Sequence, residues 1–277
     1  MLQARTKMAK SNAISVMPRN DMSFWPALRA RCLRWLPFNR FLYHRDGVAL
    51  PSTRLRAAGP IFRNDRAFCD FARRDIEVIT RHTSLAGRSI LDFGCGSGRL
   101  YFGLRRREEP AFYLGLDVKS DVIAWDRQNI TVANTRFNFE QSDVRNERYN
   151  PSGGLSNHAW ANTLKQLFDI VYCYSVLSHL VETDAREVLD LFLRHAHSDA
   201  FIFLTAFVSD QTEEVAINPT GMAVDIQGPL HVVCYNHDYF RDQMLLCYSI
   251  VAEYPGAATD GQTLFVLRPR HAGASHT

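Results

Sequence analysis

Lysine is scarce in this chain, and cysteine motifs are missing altogether. Only four of the 32 basic residues are lysine, a bias that reads as genomic composition more than as chemistry. The six cysteines, at positions 32, 69, 95, 173, 234 and 247, form no C-x-x-C pair and no metal-ligand spacing, so no metal site is expected. Four of them sit in apolar runs or in a glycine turn, where reduced cysteine acts as a small hydrophobe; a reducing, cytoplasmic setting fits that usage. No stretch approaches the roughly 18 uninterrupted apolar residues of a membrane span. Arg5, Lys7 and Lys10 are not followed by an apolar region before Pro18, so a secretory leader is not expected either. No internal repeat is present.

What is there is an ordinary globular composition, 46% apolar and 22% charged over 277 residues, enough for one sizeable core and an extension. The net charge of +3 conceals an asymmetry: residues 1–80 hold fifteen Lys or Arg against six Asp or Glu. A basic first third could face a membrane, a nucleic acid or an acidic partner, although such a run is more often a solvated face. Residues 1–22 are polar, without periodicity, and are expected to be disordered. Residues 23–64 form a basic, aromatic extension. Its segment 23–43 alternates Phe24, Trp25, Leu28, Trp35 and Phe38 with Arg29, Arg31, Arg34 and Arg40. That amphipathic pattern suits a cap over the substrate side of the core, with a peripheral membrane contact as the alternative.

The stretch that organises the rest is Ser89–Leu100. Ile90-Leu91 leads into Asp92, and Gly94, Gly96 and Gly98 follow at alternate positions before Leu100, Phe102 and Leu104. This is strand, tight turn and helix, the first unit of a doubly wound α/β fold. Glycines serve where the chain turns sharply or a ligand lies against the backbone, and the following helix start offers unpaired N–H groups to an anion. A dinucleotide fingerprint, G-x-G-x-x-G, would need a third glycine where Arg99 stands.

Further elements follow in order. Asp65–His82 has the spacing of a helix with one buried face, stopped by Gly87. Ala111–Asp117 is a second strand ending in an acid nineteen residues after Gly98, where a doubly wound fold presents a carboxylate to ribose hydroxyls. Ser120 reads as the N-cap of the next helix. Thr135–Glu140 alternates as a third strand, and residues 146–166 form a long loop with Pro151, Gly153 and Gly154, either a lid or an insertion. Phe168–Cys173 is a fourth strand, Ser175–Leu180 reads as the start of a helix running on to Leu193, and Ala200–Val208 is a continuously apolar central strand. Residues 209–230 are irregular. Two closing strands, Leu246–Tyr254 and Gln262–Arg268, precede a short polar tail over 269–277 that is expected to fray.

The pattern Asp92-x-Gly94-x-Gly96-x-Gly98 resembles motif I of the class I S-adenosylmethionine-dependent methyltransferases. Phe168-Asp169 before an apolar strand resembles their motif IV, and Ser175-Val-Leu-Ser-His-Leu180 is similar to the segment that follows it in some relatives. The resemblance covers residues 65–268 and implies a seven-stranded, mainly parallel Rossmann-like sheet, with the last two strands as an antiparallel hairpin at its edge. It implies a cofactor site as well. Asp92 would organise the glycine turn and the methionine amine, while Gly94, Cys95, Gly96 and Gly98 would allow close backbone approach. Asp117 with Val118 would hold the ribose, Asp143 with Val144 the adenine, and Tyr174 would sit beside the reacting methyl group. For a hydroxyl acceptor the candidate bases are His179, His231 and His237, of which the residues alone select none.

The leading functional reading is O-methylation of a small-molecule, sugar or glycolipid acceptor. The last two rest on an association of the Leu50-Pro-Ser-Thr-Arg-Leu-Arg56 lead-in with bacterial glycan and secondary-metabolite pathways. An RNA or other nucleic-acid methyltransferase is the alternative. It is weakened because Cys173-Tyr-Ser-Val stands where a [D/N]-P-P-[F/Y/W] motif would be, and because most of the basic excess lies outside the core. A nicotinamide-dependent dehydrogenase, disfavoured by Arg99, and a non-catalytic cofactor-binding protein remain as further readings.

Overall fold

The computed structural model describes residues 49–56, 59–104, 109–146, 149–156, 159–160, 162–222, 232–258 and 260–270. The expectations for residues 1–22, for the amphipathic segment 23–43, for His231 and for the tail after Arg270 fall outside these residues. Five strands run parallel in the order β3 (Phe137–Gln141), β2 (Phe112–Asp117), β1 (Ser89–Phe93), β4 (Phe168–Cys173) and β5 (Ala196–Val208). The doubly wound reading therefore holds. Antiparallel to β5 lies β9 (Thr263–Pro269), and β8 (Tyr248–Tyr254) closes that edge against β9. Two three-residue strands join the seven expected: β7 (Val233–Tyr235) continues alongside the end of β5, and β6 (Val215–Ile217) pairs with β7.

The strand sequences explain the layering. Ile90 packs into one core and Leu91 into the other; Tyr113 and Leu114 divide in the same way, as do Ile170 and Val171, and Phe203 and Ile202. Side chains of a strand alternate faces, so a continuously apolar strand supplies two cores at once. The first core is covered by α1 (Asp65–Thr80) and α2 (Arg99–Leu104), the second by α4 (Glu182–His195), while α3 (Ser120–Asp126) follows β2. Asn64 caps α1, its side chain accepting from the Ala67 N–H at 2.9 Å. Among the described residues no helix is long and apolar enough to cross a membrane.

The lead-in is anchored to the domain. Arg56 is buried, ion-paired to Asp65 at 2.6 Å, and donates to the carbonyls of Pro51 and Phe62. Leu50, Leu55 and Phe62 enter the first core. Two local expectations need correction. Ser120 is the first residue of α3 and not its cap, because the turn before it is made by the Asp117 carboxylate accepting from the Lys119 N–H. Residues 175–180 do not open a long helix: Leu177–His179 is a single 3-10 turn, Leu180 is extended, and α4 begins at Glu182. Part of the 146–166 loop is built into the domain, since Val144 bridges Leu155, Asn146 bridges Asn150, and Trp160 is buried in the second core.

Candidate functional site

The glycine turn leaves β1 at the carboxyl edge of the sheet, the edge at which doubly wound folds bind ligands. Asp117, at the end of β2, organises it: its carboxylate accepts from the Gly96 N–H and the Lys119 N–H, both at 2.9 Å. Gly96 has φ +53° with open space where a side chain would be, so its backbone conformation is what calls for glycine. Gly94 differs. A Cβ there would lie 2.3 Å from Cγ2 of Val176, so the turn and the segment after β4 are in direct contact.

Two adjoining cavities open on this turn and share Gly94, Gly96 and Tyr174 as walls. The larger, about 140 Å³, runs along Leu116, Asp117, Val118 and Lys119, past Ser142 and Val144, to Val176, His179 and Leu180. Tyr149, from the loop after β3, closes this end with its ring edge-on to His179 at 5.6 Å. The smaller, about 50 Å³, is lined by Phe68, Asp92, Cys95, Ser97, Arg99 and Tyr172. It holds opposite charges. The Arg99 guanidinium is pinned by Asp75 of α1 and lies 4.2 Å from the Tyr174 ring centre and 5.0 Å from that of Phe62. Burial is the largest influence and opposes its charge, but the Asp75 carboxylate together with Tyr172 and Tyr174 reverses that effect and holds the guanidinium protonated. Asp92 is buried, accepts from the Tyr113 hydroxyl, and is pushed up to about 7 by burial.

Beneath the turn lies a second buried acid, Asp126. Burial, with the nearby Asp117 and Asp92 carboxylates, raises it to about 9. Neither of its oxygens has a hydrogen-bond partner among the described residues. Burial also pushes the Cys95 thiol up, so a thiolate role at neutral pH is disfavoured.

Of the residues singled out from the sequence, Asp92, Gly94, Cys95, Gly96, Asp117, Val118, Val144, Tyr174 and His179 line one cavity or both. Gly98 and Asp143 line neither. Gly98 turns away toward Ile130 and Asp126, and Asp143 is exposed, its carboxylate 3.4 Å from the Gly154 N–H. His237 lies in neither cavity; it pairs with Glu253 at 2.9 Å. Arg99, Lys119, Ser142, Tyr149 and Ser175 were not anticipated as walls. For Arg99 the signal was available, because a cation directly after a glycine turn stands at a helix start facing the same ligand.

The arrangement fits a zwitterionic amino acid joined to a nucleoside. The small cavity offers a carboxyl group and a cation, the large one a carboxyl group beside apolar walls, and the glycines they share, Gly94 and Gly96, add no side chain between them.

Comparison with known proteins agrees. Residues 91–202 match the family described as methyltransferase domain. The ubiquinone biosynthesis O-methyltransferase of Methylococcus capsulatus is 29% identical over 105 residues, 38% of this chain and 38% of that protein. The protein of the same name from Vibrio vulnificus is 27% identical over 103 residues, 37% of each. The chain thus spans under two fifths of the length of these curated relatives. Among solved structures, the glycopeptide N-methyltransferase MtfA complexed with S-adenosylmethionine matches with a TM-score of 0.51 at 16% identity, over 72% of this chain and 93% of that one. Magnesium protoporphyrin IX methyltransferase from Synechocystis PCC 6803, with bound S-adenosylmethionine, gives 0.51 at 14% identity, over 89% and 97%. At such identities the structures speak for the fold alone.

Proposed function

From the match of residues 91–202 to the methyltransferase-domain family we propose that the chain is a class I S-adenosylmethionine-dependent methyltransferase and that it methylates a hydroxyl oxygen of a small-molecule acceptor. The observation that carries this reading is the pair of joined cavities: Asp92 and Arg99 stand in one, Asp117 in the other, and Tyr174 at their junction. The cofactor of this family supplies an activated methyl group that needs no metal. In our proposal Arg99 takes the methionine carboxylate and Asp92 the amine. Asp117 and Val118 take the ribose, while Val144, with Asp143 at the rim, flanks the adenine. Tyr174 borders the reacting centre.

An O–H nucleophile must lose its proton, and a histidine is suited to that at neutral pH. His179 is the candidate we favour, because it lines the larger cavity, whereas His237 is engaged by Glu253. Val176, Leu180 and Tyr149 surround His179 with apolar surface, which favours an acceptor with an apolar or aromatic body over a bare sugar. Residues 65–268 are proposed as the catalytic domain, preceded by the extension over 23–64.

The test begins with calorimetric titration by S-adenosylhomocysteine, with NAD as the control. Micromolar binding of the first alone is expected. The labelled cofactor is then offered to a panel of phenols, sugars, glycolipids and RNA, and label in the phenol fraction is expected. Failure to bind S-adenosylhomocysteine would sink the cofactor assignment. Binding without transfer to any acceptor would favour a non-catalytic role, and transfer to RNA the nucleic-acid reading.

A further inference from the structure

Ser175 is one of two non-glycine residues with positive φ among those described; the other is Asn218. Asn218 has a local reason, since its side chain accepts from the Val232 N–H and asparagine tolerates this conformation. Serine has no such ease at φ +57°, so its surroundings must hold it there. They do so with a closed ring of hydrogen bonds. The Ser175 N–H donates to Oγ1 of Thr205 at 2.7 Å, and that hydroxyl donates to Oε1 of Gln262 at 2.9 Å. Nε2 of Gln262 donates back to Oγ of Ser175 at 2.9 Å, and its second proton goes to Asp260 at 2.8 Å. Thr205 and Gln262 are both fully buried. Every donor in the ring has one acceptor, which fixes the amide orientation and leaves the turn no second arrangement.

The position of this ring gives it meaning. Ser175 follows Tyr174, the residue common to both cavities, and itself lines the larger one. Val176, next along, is the side chain against Gly94. The ring therefore ties β5 and the residue before β9 to the turn that follows Tyr174, which with Gly94 and Gly96 forms the wall shared by the Asp92–Arg99 cavity and the Asp117 cavity.

We propose that Thr205 and Gln262 are positioning residues for the cofactor: they hold Ser175 in its left-handed conformation and thereby set Tyr174 and Val176 as the wall against which it seats. Neither residue touches the ligand. The inference rests on the methyltransferase reading of the site.

Four variants separate positioning from simple structural support: Thr205→Val, Thr205→Ser, Gln262→Leu and Ser175→Gly. For each, S-adenosylhomocysteine affinity is measured by calorimetry on fully folded protein, and thermal stability by melting. Thr205→Val keeps the shape and strands the Ser175 N–H, so affinity should fall about tenfold, the worth of one buried hydrogen bond. Gln262→Leu should fall similarly, and Thr205→Ser, which keeps the hydroxyl, should restore binding. Ser175→Gly discriminates best. Glycine takes φ +57° without strain, which offsets the Gln262 Nε2 proton left without its acceptor, so the melting temperature should change little, yet without Oγ the turn is released and affinity should fall. If the four variants bind like the wild type while only their melting temperatures move, the ring is structural and the proposal is overturned. If the wild-type protein itself fails to bind, the cofactor assignment beneath it fails, and the proposal with it.

Discussion

Arg99 shows how much a single side chain can carry. In the sequence it stands out first as the residue that spoils a dinucleotide fingerprint. In the structure it is half-buried between two aromatic rings, with Asp75 as counter-ion, and it lines the smaller cavity. Removing the cation alone would leave Asp75 buried and unpaired, at a cost of about 3–5 kcal/mol. The informative variant is thus Arg99→Gln with Asp75→Asn, which replaces the ion pair by two amides. It should fold, and it should lose at least about tenfold in S-adenosylhomocysteine affinity by calorimetry, since hydrogen bonds to charged groups contribute roughly 1.5–3 kcal/mol. Unchanged affinity would remove Arg99 from the site. Its counterpart Asp92 titrates near neutrality, at about 7, because burial raises it. A carboxyl that must ionise to meet an ammonium group binds better as pH rises through its pKa. Affinity should therefore strengthen between pH 6 and 8 in the wild type and stay flat in Asp92→Asn, and parallel profiles would rule out Asp92 as the group that titrates.

Among the elements, the long strands were readable because an apolar run of five or more residues bounded by turn residues has few alternatives, and so was α1 with its 3.6-residue spacing. The segment after β4 was not. Its conformation is decided by Thr205, 30 residues away, and Gln262, 87 residues away, and no local pattern encodes either contact. The two three-residue strands β6 and β7 are likewise too short to leave a periodicity. Nor did local pattern reveal how closely α1 and α2 cross. A Cβ on Gly103 would lie 2.2 Å from the carbonyl oxygen of Ala72 and 2.7 Å from Cγ1 of Ile76. That glycine is there for proximity, its neighbour being backbone that cannot swing away. Gly103→Ala should separate the two helices and cost about 1–3 kcal/mol in urea unfolding, with an unchanged m-value. Stability equal to wild type would mean that the helices have slack the packing does not suggest.

At the scale of the whole molecule, buried acids make stability a function of pH. Asp92, raised to about 7, and Asp126, raised to about 9, hold protons in the folded state at pH values where the unfolded chain, with ordinary carboxylates near 3.8, has released them. The folded state therefore binds more protons, and unfolding free energy falls as pH rises. The stabilisation is complete below pH 4 and is lost through Asp92 up to about 7 and through Asp126 up to about 9, with the raised carboxyls of Asp75, Asp117 and Asp260 acting in the same direction. Asp92 and Asp126 each contribute a slope of about 1.4 kcal/mol per pH unit within their windows. The opposite trend comes from Asp169, where hydrogen bonds from Ser89 and Arg88 outweigh burial and hold the carboxyl below its usual value; that contribution is lost only in acid. Melting temperature should accordingly peak in mildly acidic buffer and decline toward pH 9. Asp126→Asn removes one titrating group at nearly constant volume, so the limb between pH 7 and 9 should flatten in this variant while the limb below 7 keeps the Asp92 slope. Should the Asp126→Asn profile superpose on the wild type over that upper limb, the proton would belong to another group. The acid beneath the glycine turn would then be ionised, with a partner beyond the described residues.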